Sequence, residues 1–253
     1  MFWWFDPNLN DGVAGREFAT MDQVFALEGK LIGKSPLSCV IRIEREGRNY
    51  YVKRYVGNGK NIRRRLFGLR QWLVPRVKKE WRNLLFFQEK GIPTAKLAAY
   101  GIENYGGGFR RGALITEEIR RTTDLFKLVQ QKDGRLCNRH WVSRVSAQVA
   151  RITRRMHEVG FVHNDLKWRN LLVTDNEVPE VYLIDCPSGG LWRWPFLEYR
   201  IIKDLACLDK VAKYHLTRVQ RLRFYLDYTG HAKLNSGDKK RVRRIVEFFE
   251  GRE

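Results

Sequence analysis

Apolar and polar positions alternate over Ser38–Arg45 and again over Tyr50–Tyr55, with Glu46-Gly47-Arg48-Asn49 between them. Period-two alternation around a turn signal predicts a β-hairpin. From Val77 to Lys90 the spacing becomes helical, with Trp81, Leu84, Leu85 and Phe87 forming the apolar stripe, and Gly91-Ile92-Pro93 stops it. Two more strands are expected, Lys96–Ile102 and Arg111–Glu118, joined by a turn at Gly106-Gly107-Gly108. Beyond Glu118 the helical period dominates: His140–Val159, Tyr199–Tyr214, Leu216–Tyr228 and Ser236–Glu250. Two short strands interrupt it, Leu171–Thr174 and Val181–Ile184, around the turn signal Asp175-Asn176-Glu177. The pattern predicts an α+β chain with a strand-rich lobe over 1–118 and a helix-rich lobe over 119–253. A cleft between two such lobes is the expected place for a ligand.

Length and composition narrow the classes. At 253 residues and 43% apolar, the chain can build one large domain or two small lobes, and global disorder is excluded. A net charge of +20 predicts an anionic partner: nucleic acid, a membrane surface or a phosphorylated substrate. No apolar run approaches the ~20 residues that span a bilayer. The opening Met1-Phe2-Trp3-Trp4-Phe5-Asp6-Pro7 lacks the pattern of a secretory signal. Cys39, Cys137, Cys186 and Cys207 are scattered, which fits a reducing, cytoplasmic setting and no zinc or disulfide framework. Phe2-Trp3-Trp4-Phe5 suits either a membrane interface or packing on the domain, and packing is the commoner use.

One stretch carries chemistry. His163-Asn164-Asp165-Leu166-Lys167-Trp168-Arg169-Asn170 has the H-x-D-L-x-x-x-N spacing of a phosphoryl-transfer loop. That chemistry needs a carboxylate for the proton of an attacking hydroxyl, and an amide oxygen five residues on for a magnesium ion. Asp165 fits the base and Asn170 the metal ligand, while Lys167 is suited to offset charge on the transferring phosphoryl group. Val181-Tyr182-Leu183-Ile184-Asp185 is an apolar strand ending in a carboxylate, 15 residues after Asn170. Alone, Asp185 reads as a turn residue; after this loop it reads as the second metal ligand. Upstream, Lys53 lies in an apolar strand and fits a phosphate-holding lysine, with Glu80 as its helix partner and Glu89 as a rival nearer the helix end. His163 reads as a structural histidine of the loop.

The ordered set Lys53, Glu80, Asp165, Asn170 and Asp185 resembles the protein-kinase-like superfamily. Within it the chain is similar to the Kdo/WaaP-type lipopolysaccharide kinases, which include InaA-like proteins. The block Phe161–Gly189, the run Lys203-Asp204-Leu205-Ala206, and Glu80-Trp81 with Gly91-Ile92-Pro93 carry that likeness, over roughly Val24–Tyr228. The resemblance implies a bilobed kinase-like fold, ATP and Mg2+ as cofactors, and a sugar of the lipopolysaccharide inner core, notably heptose, as acceptor. The partner is then the core oligosaccharide or a lipid-linked precursor, met at the cytoplasmic face of the inner membrane. It also implies that adenine contacts the connector Thr116-Glu117-Glu118-Ile119, with Glu117 and Ile119 as the residues concerned, and that Asp204 braces the catalytic loop.

The departures have meaning. Where protein kinases carry D-F-G, this chain has Asp185-Cys186-Pro187, and it has no A-P-E. Only 19 residues separate Asp185 from Asp204, too few for a long peptide-docking segment, so a small or glycan acceptor is favoured. No G-x-G-x-x-G covers the phosphates; Gly33 is the candidate, and its ordinary reading, like that of Gly29, is a hairpin turn. Eleven Lys and Arg fall between Lys53 and Arg82, densest at Lys60-Asn61-Ile62-Arg63-Arg64-Arg65. This run suits an anionic substrate or peripheral contact with the anionic inner membrane, against a solvated helix face. Lys239–Arg244 reads as a solvated face. Trp192-Arg193-Trp194-Pro195-Phe196 could stack on a sugar, although core packing is the more ordinary use. Three other classes stay open: a RIO-like kinase tied to RNA, disfavoured by the lack of any RNA-reading motif; a small-molecule phosphotransferase for cationic acceptors, disfavoured by the basic charge; and a non-enzymatic module with the same fold.

Overall fold

A computed structural model describes residues 1–57, 74–105 and 108–251. The basic run at 60–65 and the turn expected at 106–107 lie outside the described residues. The chain divides into two compact units, Met1–Phe86 with Ala95–Ile119, and Phe87–Thr94 with Arg120–Glu253.

The first unit is built on a six-stranded antiparallel sheet. Its strands are β1 (Phe2–Phe5), β2 (Lys30–Ser35), β3 (Ser38–Arg45), β4 (Arg48–Val56), β5 (Leu97–Tyr105) and β6 (Gly108–Glu117), in the order β1-β5-β6-β4-β3-β2. Tight turns set the register. Glu46 and Gly47 both take positive φ, 52° and 70°, the two-residue turn that matches strand twist. Alternation then sorts side chains to two faces. Ile41, Ile43, Tyr50 and Val52 face a core shared with Phe18, Met21 and Val24. The last three come from α1 (Val13–Phe18) and α2 (Met21–Ala26). Neither short helix appeared in the sequence pattern: at six residues each, their stability comes from packing, not propensity. β1 was not expected as a strand either. Its aromatics pack as the ordinary reading held: Trp3 Nε1 donates to the Phe18 carbonyl at 2.8 Å, and Phe2 stacks on Trp81.

The opposite sheet face carries α3 (Arg76–Glu89), where Val77, Glu80, Trp81, Leu84 and Phe87 are buried at helical spacing. Gly91, at φ 62°, ends the helix, with the Ile92 N–H donating to the Phe87 carbonyl at 2.8 Å.

The second unit centres on α5 (Arg139–Glu158), capped by Asn138 and preceded by α4 (Leu125–Gln130). Beyond it come α6 (Phe196–His215), α7 (Arg218–Thr229) and α8 (Ser236–Val246). The last is shorter than the periodicity predicted, because the chain turns into a 3-10 segment at Glu247–Phe249. Two small sheets flank the stretch His163–Asn170. β7 (Thr122–Asp124), β9 (Leu171–Thr174) and β10 (Val181–Leu183) form one, and β8 (Phe161–Val162) pairs with β11 (Gly190–Leu191) in the other. Among the described residues no helix is long and apolar enough to cross a membrane.

Candidate active site

In the first unit, strand alternation puts Lys53 and Tyr55 on the face of β4 that looks toward α3. Lys53 Nζ donates to Glu80 Oε1 at 2.8 Å, and the Tyr55 hydroxyl donates to Glu80 Oε2. Glu80 is almost wholly buried, and each of its carboxylate oxygens accepts from one of these donors. Burial, aided by the Glu80 charge, pushes the Tyr55 phenol well above its ordinary range and keeps it a donor. Glu89 pairs with Lys90 at an exposed helix end, while Lys53 contacts Glu80. Tyr55 was not singled out in the sequence; its signal is the i, i+2 spacing from Lys53.

The connector expected to meet adenine is also held. Arg42 grips Glu118 with two bonds of 2.8 and 2.7 Å, and the Tyr51 hydroxyl adds a third at 2.9 Å. Arg42 beside it, helped by Tyr51, holds the Glu118 carboxyl below the usual range against the opposing effect of burial. The Glu117 N–H is spent on the Lys96 carbonyl at 2.9 Å. Ile119 closes this unit. Gly33 lies on the exposed edge strand β2, opposite Val40, and nothing lies within 4 Å of the place its Cβ would take. The hairpin turn falls at Ser35–Ser38 instead, so the turn reading of Gly33 is corrected. Gly29 is a close-approach position, since a Cβ there would meet the Arg42 carbonyl at 2.7 Å.

In the second unit the stretch His163–Asn170 closes on itself. Lys167 Nζ lies 2.5 Å from Asp165 Oδ1, and Arg169 Nη2 lies 3.3 Å from Oδ2. Burial pushes the Asp165 carboxyl up, but these two cations outweigh it and hold the group below the ordinary carboxylate range. Asp165 is therefore ionised at neutral pH. The Asn170 Nδ2 donates to the Asp165 carbonyl at 2.8 Å, which sets the flip of this buried amide and leaves Oδ1 as its acceptor. The Ile184 N–H donates to the Asn170 carbonyl at 2.9 Å, so the strand end bearing Asp185 is tied to Asn170. Asp185 and Asn170 offer hard oxygen ligands of the kind Mg2+ takes. Among the described residues no three His, Cys, Asp or Glu side chains converge, so a cation here would draw its remaining ligands from elsewhere, as nucleotide phosphates do.

The surroundings brace this loop. Asp204 of α6 accepts from the His163 N–H at 2.7 Å, and its Oδ2 lies 3.4 Å from His157 Nε2. His163 is fully buried, and burial holds its imidazole neutral by lowering its pKa. Asn164, at φ 63°, accepts from Arg200 Nη1 at 3.1 Å and donates to the Ser188 carbonyl at 2.9 Å. The Arg200 guanidinium sits 4.2 Å from the Trp192 ring centroid. Neither Asn164 nor Arg200 was found from sequence, because their meeting spans 36 residues. Core packing fails for Trp194 and Phe196, which are exposed; only Trp192 is partly covered.

The sequence profile of the lipopolysaccharide kinase (Kdo/WaaP) family matches residues 21–228. The chain belongs to that family. The match starts three residues before the likeness read from the sequence. Curated relatives agree. A 3-deoxy-D-manno-octulosonic acid kinase of Actinobacillus succinogenes is 29% identical over 120 residues, 45% of this chain and 47% of that protein. The lipopolysaccharide core heptose(I) kinase WaaP of Pseudomonas aeruginosa is 27% identical over 144 residues, 57% of this chain and 54% of that one. The chain thus spans about half the length of these relatives. A solved structure of WaaP in complex with acyl carrier protein superposes with a TM-score of 0.73 at 23% identity, covering 99% of this chain and all of that one. The fold is therefore that of these kinase-like proteins, α+β as expected. Membership of this family sets aside the RIO-like and antibiotic-type assignments.

Proposed function

We propose that this member of the lipopolysaccharide kinase (Kdo/WaaP) family is an ATP-dependent kinase for a sugar hydroxyl of the lipopolysaccharide core, a heptose or an octulosonic acid residue. The observation that carries this reading is the closed loop of the second unit: an ionised Asp165 whose carbonyl accepts from the Asn170 amide, and an Asn170 carbonyl that accepts from the strand end bearing Asp185. Asp165 orients the acceptor hydroxyl and receives its proton. The acceptor oxygen bonds to the γ-phosphorus as the bond to the β–γ bridging oxygen breaks, and ADP leaves. Lys167, 2.5 Å from Asp165, turns to the transferring group when nucleotide is present and offsets its charge. Asn170 and Asp185 would hold Mg2+, which supplies charge neutralisation at the phosphates. Lys53, fixed by Glu80, serves the α- and β-phosphates; Glu117 and Ile119 serve adenine through their backbone; Gly33 lies on the hairpin over the phosphates. The setting is the cytoplasmic face of the inner membrane, with peripheral contact to anionic lipid through the positive charge.

The deciding test is transfer of label from γ-labelled ATP to purified core lipopolysaccharide. Asp165→Asn should lower the rate by ~10²–10⁴-fold while ATP still binds. Full activity in this variant removes Asp165 as the base.

A partner reading accompanies this. We infer that the chain also binds an acyl carrier protein, the companion named for its structural neighbour. A cavity of about 480 Å3 in the second unit favours it, lined by apolar side chains including Val145, Val149, Leu208 and Leu222. Such a space accommodates an acyl chain. Carrier protein loaded with a long acyl chain should raise the melting temperature, unloaded carrier should not, and Val149→Trp should abolish the shift. No shift with loaded carrier refutes the partner.

A further inference from the structure

The segment after the strand bearing Asp185 is held by its backbone yet leaves the side chains of Trp194 and Phe196 exposed. Gly190 and Leu191 pair with Val162 and Phe161, the two residues just before His163. The Trp192 N–H donates to the Gly160 carbonyl at 2.8 Å, and the Phe196 and Leu197 N–H groups both donate to the Arg193 carbonyl at 3.1 Å. Asn164 adds a side-chain tie from the catalytic loop to Ser188, and Arg200 joins Asn164 to the Trp192 ring. The stretch is thereby fixed to the loop that carries Asp165. Its side chains are not buried in return: Leu191 is 65% exposed, Phe196 61% and Trp194 91%.

Large aromatics held outward on an ordered backbone expose apolar area that folding would otherwise cover. The rings are presented at low further entropy cost, since the chain beneath them is already fixed. Charge at the patch has one sign. Arg193 lies exposed between the two tryptophans, and the nearby Glu198 is engaged by Arg241 at 2.9 and 3.0 Å. An aromatic face flanked by a guanidinium suits a ring with an apolar C–H face and an anionic substituent: dispersion and C–H contacts serve the face, and the guanidinium pairs with carboxylate or phosphate.

We propose that Trp194 and Phe196, with Arg193, form the acceptor platform of this protein, on which an anionic sugar residue of the glycan stacks, on a segment tied through Asn164 and Arg200 to the loop that carries Asp165. The inference rests on the kinase reading above and adds to it the residues that select the acceptor. Trp194 and Phe196 supply the stacking surface, and Arg193 supplies preference for the anionic sugar over a neutral one.

The test is a binding measurement that needs no turnover. Delipidated, Kdo-bearing core oligosaccharide is titrated calorimetrically into the full chain without nucleotide, with a neutral glucan and phosphatidylglycerol vesicles as parallel arms. The wild type should bind the core oligosaccharide and not the glucan. The double variant Trp194→Ala with Phe196→Ala should weaken binding tenfold or more, Trp194→Tyr should restore most of it, and Arg193→Gln should narrow the margin over glucan. Because the exposed rings contribute little to the core, melting temperatures should match the wild type. No oligosaccharide binding by the wild type, or equal binding by the double variant, overturns the platform. Loss of vesicle binding in the double variant, with oligosaccharide binding intact, overturns it in favour of a membrane contact. Phosphoryl transfer is assayed separately: if transfer is absent while oligosaccharide binding depends on Trp194 and Phe196, the kinase reading fails and the platform stands.

Discussion

Asn164 and Asp185 both sit in the left-handed region, at φ 63° and 55°. For residues with a Cβ this conformation is uncommon, and Asn and Asp tolerate it best. Asn164 is next to Asp165 and Asp185 is one of the proposed metal ligands, and candidate functional sites are where a fold tends to keep such strain. The motif spacing alone pointed to Asp165 and Asn170, because phosphoryl transfer constrains those residue types locally. It could not point to Asn164, whose two bonds reach Ser188 and Arg200 across the fold. His163 offers a test at this scale. Its folded pKa lies below the ordinary 6.5, because burial penalises the imidazolium. Above that value both folded and unfolded states hold it neutral. As pH falls through it, the unfolded chain takes up a proton that the folded chain refuses, so stability is lost. Melting temperature should fall between about pH 7 and about pH 5, and His163→Gln should flatten that slope. An unchanged slope in the variant would assign the loss to other groups.

At the scale of elements, the long periodic segments were legible, and so were the short strands on either side of the turn signal Asp175-Asn176-Glu177. Leu171–Thr174 was read to the residue, and α3 and α5 to within one residue at each end. A long amphipathic stripe states its own period. By contrast α1, α2, β1 and β2 are six residues or fewer, and packing or strand pairing decides them. The β8–β11 ladder, two residues on each side, is the extreme case, and it is what ties the post-metal segment to the catalytic loop. Gly189 makes it fit: a Cβ there would meet Phe161 ring carbons at 2.9 Å and press on the Cys186 sulfur. Gly189→Ala should therefore cost about 1–3 kcal/mol through overpacking. Chemical denaturation would measure it, and wild-type stability would show that the ladder shifts freely.

At the scale of the whole molecule, the order of chemical groups along the chain carried the likeness to the kinase-like superfamily, and the block Phe161–Gly189 with Lys203-Asp204-Leu205-Ala206 carried the likeness to the family. Lys53, Glu80, Asp165, Asn170 and Asp185 appear in sequence with spacings that reflect local demands, a loop of fixed length and a strand ending in a carboxylate. Local chemistry leaves a local record. Charge was legible in sum, at +20, while its pairing was not: whether a given arginine binds a neighbour or faces solvent depends on residues far away in sequence. Arg42 and Glu118, 76 residues apart, show this. The fate of the aromatics was undecided for the same reason. Phe2-Trp3-Trp4-Phe5 and Trp192–Phe196 are similar strings, yet the first joins a sheet against Phe18 and Trp81 while Trp194 and Phe196 of the second stay exposed. The sequence by itself determined the alternation, the helix stop at Gly91-Ile92-Pro93 and the spacing of the His163–Asn170 motif, because these depend on neighbours along the chain. Tertiary structure alone decided which aromatic surface is buried, how the buried Asn170 amide is turned and which carboxylate is held ionised. Each of those depends on desolvation, and desolvation is set by what the rest of the chain packs around a group.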